Sequence, residues 1–200
     1  MKNIELKVAV DKFDDIVDVL KRIRSKHKGK LHQVDTYYKS KSGRIKIREI
    51  NRRRFELISY HRPDQADSKI SDYKITPLKK NQVESRKAAL SGTLGEQNIV
   101  EKDRELWIYK NTRIHLDNVK RLGMFLELET VVKNKDMTRF REEHKEIINL
   151  LHLSKYKKYR QSYGELVPDR SRIFAFRAPS SNKVPSHLSS ARVNLAAGRR

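Results

Sequence analysis

Apolar and polar residues alternate along most of this chain, and helical spacing interrupts the alternation at intervals. In residues 1–10, Ile4, Leu6 and Val8 fall on one side and Asn3, Glu5 and Lys7 on the other, the period of a strand. Asp11 then caps a predicted helix to about His27, with Phe13, Ile16, Val17, Leu20 and Ile23 as its apolar stripe and Lys28-Gly29-Lys30 as its stop. Further strands are predicted over 31–40, 44–50, 54–62 and 69–76, with a turn at Ser42-Gly43, a loop over 63–67 and a stop at Pro77. A second helix covers about 79–91, bearing Val83, Ala88 and Leu90. Long strands follow at about 97–110, 112–119 and 124–132. A third helix runs from about 136 to 153, with Phe140, His144, Ile147, Ile148 and Leu151 inward. A short tyrosine-rich helix at about 155–165 follows, its Tyr156, Tyr159 and Tyr163 packing against the barrel as a plug at one mouth. About eight antiparallel strands and these helices make an α+β fold, and closing the sheet into an eight-stranded β-barrel removes its exposed edges.

Charge now changes the picture. Arg44, Lys46 and Arg48 share one face of their strand, as do Lys102 and Arg104, and Arg113, His115 and Asp117. Glu127 and Glu129 share a face opposite Leu126 and Leu128, and Glu5 and Lys7 share a face of the first strand. An open sheet with one wet face would give the same alternation in any single strand. The set differs from that, because some charged faces are nearly all basic and one is all acidic. Amphipathic helices are at hand to cover the apolar face, so the charged face turns inward and lines a tunnel. Like charges held there need water, counterions or a highly charged ligand. Basic strands suit phosphoryl oxygens and carboxylates suit Mg²⁺ or Mn²⁺, so the pattern describes a metal–triphosphate site.

Composition bounds the rest. The 200 residues carry a net charge of +21 and no cysteine, which excludes disulfides and zinc–thiolate sites and points to polyanionic partners. No apolar run is long enough for a membrane span, and the expectation is a cytoplasmic protein that engages no membrane, as monomer or homodimer. Residues 1–167 read as one domain and 168–200 as a disordered basic tail rich in Ser, Pro, Ala and Arg. The tail carries a net +6 of the +21, so +15 stays with the domain.

Particular stretches also resemble a known family. NIELK at 3–7 is similar to the ExExK signature of the CYTH superfamily, the triphosphate tunnel metalloenzymes. DTYY at 35–38, GRIKIR at 43–48, YHRPDQA at 60–66, KDRELW at 102–107 and TRIHLDNV–LGMFLELE across 112–129 resemble its CyaB-like branch, which includes class IV adenylyl cyclases and relatives of thiamine triphosphatase. The resemblance covers about residues 1–165. It implies an eight-stranded antiparallel tunnel in which Glu5, Asp117, Glu127 and Glu129 hold divalent metal. Lys7, Arg44, Lys46, Arg48, Arg62, Lys69, Lys102, Arg104 and Arg113 would bind phosphates. Asn3 departs from the signature: it stands where the first Glu is expected, and it carries no charge.

The expected activity is metal-dependent hydrolysis of an organic or inorganic triphosphate such as thiamine triphosphate, tripolyphosphate or ATP. Glu5, Lys7 and Glu129 would be the catalytic residues for in-line attack of water on the terminal phosphoryl group. A class IV adenylyl cyclase, making cAMP and pyrophosphate from ATP, would use the same cradle. A third reading is non-catalytic binding of RNA or polyphosphate through Arg52-Arg53-Arg54 and the tail, with an RNA 5′-triphosphatase intermediate between the two. A pure polyanion binder gains nothing from carboxylates aimed at its ligand. His115, two residues from Asp117, reads as a histidine hydrogen-bonded within the barrel wall.

Overall fold

A sheet whose strands alternate apolar and charged residues must choose which face to cover. Here it curls so that the charged face lies inside. The computed structural model describes residues 2–41, 43–61, 69–133 and 137–168. Its strands are β1 (Lys2–Ala9), β2 (Lys26–Tyr38), β3 (Arg44–Ile50), β4 (Arg54–His61), β5 (Lys69–Leu78), β6 (Glu96–Tyr109), β7 (Thr112–Val119) and β8 (Gly123–Val132). All neighbours pair antiparallel in the closed order β1-β5-β4-β3-β2-β6-β7-β8, with β8 returning to β1. The helices are α1 (Asp14–Arg22), α2 (Val83–Leu94), α3 (Met137–Leu150) and the single turn α4 (Tyr163–Leu166).

The seam of the barrel lies between β1 and β5. Among the described residues their pairing runs from Lys2↔Asp72 to Glu5↔Lys69, whereas β1 pairs with β8 along its whole length. Beyond Glu5 the free edge of β1 is taken by the chain's own C-terminal segment. Tyr159 N donates to Lys7 O at 2.9 Å, Ala9 N donates to Lys157 O at 3.3 Å, and Val8 bridges Lys158. This strap covers the edge of β1 from Lys7 to Ala9.

The outward apolar positions pack under helices. Leu6, Val8, Ile114, Leu116, Leu126 and Leu128 form one core with Ile16 and Leu20 of α1 and Ile147 of α3. A second core joins Tyr38, Ile47 and Phe55 to Val83 of α2. The third is inside the barrel at one end, where Val100, Val119 and Phe125 pack on Tyr37, Tyr163 and Val167. Among the described residues no helix is long and apolar enough to cross a membrane.

Several boundaries differ from the expectation. α1 begins after Phe13, which makes no side-chain cap, and Asp11 lies outside the helix. The chain turns extended by Lys26, because the second half of β6 offers a partner as far as Lys26↔Ile108. Gly29, at φ +100, marks a bulge in that pairing rather than a helix stop. Pro77 lies within β5, paired with Glu56 on β4. β5 has left β1 by that point, so a residue without an N–H is tolerated on its open side. Gly92 lies inside α2, and Gly95 at φ +79 ends it.

The predicted tyrosine-rich helix is not one helix. A 3₁₀ turn at Leu153–Lys155 is followed by the extended strap and then by α4. Backbone pairing with β1 outweighs the helical spacing of the three tyrosines. Tyr156 packs on the helix-covered core, Tyr159 meets Phe125 edge to face, and Tyr163 enters the bore. Arg62, the 63–67 loop and all of the tail except Pro168 lie outside the described residues.

The plug is seated closely. A Cβ on Gly164 would stand 2.7 Å from the ring of buried Tyr37. Gly164→Ala is therefore expected to lower stability by about 1–3 kcal/mol and to loosen residues 162–167. Chemical denaturation and amide hydrogen exchange across that segment check this.

Candidate active site in the barrel bore

The inward positions of all eight strands surround a cavity of about 260 Å³. Each strand supplies them at a spacing of two, as the pleat requires. β1 gives Asn3, Glu5 and Lys7, β3 gives Lys46 and Arg48, and β6 gives Lys102 and Arg104. β7 gives Arg113 and His115, and β8 gives Glu127 and Glu129. Arg44, one step further along β3, pairs with Glu165 of α4 at 2.8 Å. Lys69 stands across from Glu5 in the β1–β5 register.

The cations of the bore are held by carboxylates from neighbouring strands. Asp35 accepts from Lys46 Nζ at 2.8 Å and from Arg48 Nε and Nη2 at 2.8 and 2.9 Å. Asp117, 0% exposed, is gripped by Arg104 through Nε at 2.6 Å and through Nη2. It also accepts from Lys102 at 3.0 Å and from Tyr163 Oη at 2.9 Å. Glu127 joins Arg104 and Lys7, the latter at 3.0 Å, and Glu129 joins Arg113 at 2.8 Å. Both oxygens of Asp117 are thus engaged on one side of the bore, while Glu127 and Glu129 form a separate acidic wall. The counterions expected of such a tunnel are the chain's own side chains.

Protonation follows from these contacts. Burial alone would raise the Asp35 carboxyl, but Arg48 and Lys46 hold it well below the usual range. Asp117 is likewise held down, to about 2, with Arg104 and Lys102 overriding burial. For Glu129, burial is opposed by His115, Arg113 and Arg104, and the carboxyl sits at about 2. Burial and the nearby Arg48 bring Lys46 down to about 7 against the pull of Asp35. Burial and Arg104 lower His115 to about 3, so at neutral pH its imidazole is uncharged and it is Arg113 and Arg104 that keep Glu129 ionised there.

His115 was expected to bond within the barrel wall. Instead it lines the cavity at 5% exposure, and its Nδ1 has no hydrogen-bond partner among the described residues. That nitrogen is 3.7 Å from Glu129 Oε1, and the His115 ring forms with Glu127 and Glu129 a group with one ligand atom from each residue, all within 4.8 Å of one another. Two carboxylates and a neutral imidazole with a lone pair to give are a donor set that suits a divalent cation. Glu5 lies beside this group, directly across from Glu129 in the β1–β8 register.

Asn3 takes another role. It is 2% exposed, and with its amide turned to satisfy both neighbours its oxygen accepts from Arg113 Nη2 at 2.9 Å. The same guanidinium group reaches Glu129 and Tyr73. Asn3 therefore orients Arg113 where a carboxylate would have added charge.

Sequence reasoning missed Asp35, Tyr37 and Tyr163. Asp35 and Tyr37 share the inward parity of Gln33 and could have been found from it. Tyr163 arrives with the strap, and no local pattern signals that. The plug also brings Gln161 O to Lys7 Nζ at 3.0 Å, and Lys7 lies 3.8 Å from the Tyr163 ring centroid.

An antiparallel barrel whose bore pairs acids with bases around a triad of potential metal ligands is a charged-tunnel fold. Residues 1–163 match the CYTH domain model, and the chain belongs to that family. A candidate adenylate cyclase of Methanocaldococcus jannaschii is 27% identical over 176 residues, covering 83% of this chain and 98% of that protein. The PH1012 protein of Pyrococcus horikoshii superposes with a TM-score of 0.71 at 21% identity, over 82% of this chain and 99% of its own. A Hippeastrum protein, described as a candidate adenylyl cyclase with a dominant triphosphatase activity, superposes with a TM-score of 0.60 at 11% identity, over 88% and 95%. At these identities the two superpositions establish a common fold.

Asp117 anchors the cations, and this can be measured. Asp117→Asn leaves Arg104 and Lys102 short of a buried counterion and should cost about 3–5 kcal/mol at pH 7. The wild-type carboxyl is held below its ordinary value, so its contribution is complete above about pH 4 and is lost as the pH falls towards 2. Denaturant midpoints for the two proteins should converge over that acidic window.

Proposed function

We propose that this chain is a divalent-metal-dependent triphosphatase that binds its substrate's phosphates along the barrel axis. The observation that carries this is the facing of a multi-strand cation cluster, Lys46, Arg48, Lys102 and Arg104, towards the Glu127–Glu129–His115 group inside one cavity. A pure polyanion site has no use for that acidic wall.

In this reading Lys7, Arg44, Lys46, Arg48, Lys102, Arg104 and Arg113 hold phosphoryl oxygens, with Arg62 and Lys69 assigned to the same task on the sequence resemblance. Arg side chains offer forked donors that match those oxygens, and the Lys ammoniums act as point charges. Glu127 and Glu129 hold the metal together with Glu5, and His115 can complete the set. A divalent ion there, Mg²⁺ or Mn²⁺, supplies polarisation of a phosphoryl oxygen and neutralisation of developing charge. Asp117 and Asp35 keep the cations aimed at the bore, so little reorganisation is needed as charge moves in the reaction. Water attacks the terminal phosphorus in line with the leaving oxygen, and Arg104 and Arg113 neutralise the equatorial oxygens.

A second reading is supported by the Methanocaldococcus relative, whose description is that of an adenylate cyclase. In that reaction the ribose 3′ hydroxyl of ATP attacks its own α-phosphorus and pyrophosphate leaves. The same cradle serves both, and the products tell them apart.

Incubation with tripolyphosphate, thiamine triphosphate and ATP, with and without Mg²⁺ or Mn²⁺, should release phosphate from at least one compound only when metal is present. Glu129→Gln should lower that rate by about two orders of magnitude or more; it also takes the counterion from Arg113, so its thermal midpoint falls while circular dichroism still reports a folded barrel. Removal of residues 168–200 should leave the rate unchanged. Cyclic AMP and pyrophosphate as products would favour the cyclase, and silence across the whole panel would refute both.

A further inference from the structure

The bore has an apolar belt at each end, and among the described residues only one belt is filled. At the first end Val100, Val119 and Phe125 close on Tyr163 and Val167. At the other, the next inward residue beyond Arg104 is Leu106, beyond Gln33 is Leu31, and beyond Arg48 is Ile50. β2 runs against both β3 and β6, so these three steps all go the same way, away from α4. Ile75 of β5 lines the cavity as well and is 38% exposed. Ile50 is 4% exposed, yet it packs into none of the three cores. The aliphatic residues line one side of this mouth; its charges are paired with one another, Arg54 with Glu56 at 3.3 Å and, across from Ile108 on β7, Arg113 with Glu129 at 2.8 Å.

The bore is therefore polar in sequence along its axis: a plugged end, a belt of cations, then an aliphatic mouth. A ligand whose phosphates lie among Lys46, Lys102 and Arg104 can extend its other end only through that mouth, because α4 and its core shut the opposite one. We propose that the substrate is an organic triphosphate with an apolar organic group, seated with its phosphates towards α4 and its hydrocarbon against Leu31, Ile50, Ile75 and Leu106. This rests on the reading of the bore as a triphosphate site and narrows it. Aliphatic walls favour buried methylene groups and leave the ring nitrogens and hydroxyls of a nucleoside without partners. An alkyl or alkenyl triphosphate fits this mouth better than tripolyphosphate or ATP.

The full chain, in metal-free buffer so that no turnover intervenes, is titrated calorimetrically with tripolyphosphate and with methyl, butyl and octyl triphosphate. Each methylene that enters the mouth should tighten binding about three- to fourfold. Butyl triphosphate should then bind at least about tenfold more tightly than tripolyphosphate. Ile75→Ser, at an exposed position, should erode that gain and leave tripolyphosphate binding unchanged. Equal affinities along the series would overturn this proposal and spare the triphosphate site. If no triphosphate binds, both readings fall. If the gain appears only in a chain lacking residues 169–200, the tail and not the substrate occupies the belt, and the proposal is again overturned.

Discussion

Everything inside this barrel depends on neutralising charge in place. Turning a charged sheet face inward removes those groups from bulk water, which costs several kcal/mol for each ion left alone. The structure answers with cross-strand pairing: Asp35 serves Lys46 and Arg48, Asp117 serves Lys102 and Arg104, and Glu127 and Glu129 serve Lys7, Arg104 and Arg113. Each acid sits on a strand adjacent to, or within reach of, its bases, so the strand order itself is what balances the bore. A triphosphate entering such a site does not meet naked cations. It competes with carboxylates already present, and a divalent ion on Glu127 and Glu129 would release Arg104 and Arg113 to the phosphates.

That balance explains how much of the molecule could be read from sequence. Inward parity was plain for Arg44, Lys46 and Arg48, for Lys102 and Arg104, and for Glu127 and Glu129, because each alternates with aliphatic residues that fill the outer cores. The partition into basic and acidic strands was also plain. What parity along one strand cannot supply is the partner on the next. Asp35 was hidden in DTYY, a run conspicuous for its aromatic residues rather than its charge. Arg44 and Glu165 are 121 residues apart, and only the path of the strap joins them. Tyr163 was placed on a helix, where its spacing from Tyr156 and Tyr159 suggested a packing stripe. Its hydroxyl instead donates to Asp117 at the centre of the charge network.

Two uncharged inward positions bear on the acidic wall. Asn3 replaces a carboxylate with an amide that holds Arg113, and His115 offers a buried nitrogen beside Glu127 and Glu129. The first sets an uncharged amide beside the acidic wall, and the second sets a neutral imidazole there.

The strap along β1 also governs how the chain is made. Val8 finds its bridge partner only at Lys158, 150 residues later, and its β8 partner at Leu126, 118 residues later. During synthesis the first strand leaves the ribosome long before either partner exists. β5 can pair with it earlier over Lys2–Glu5, while Leu6 and Val8 of its outer row and Lys7 of its inner row wait for the later segments. Closure of the ring, docking of α3 and sealing of the plug can therefore be completed only after residues 123–167 have been made.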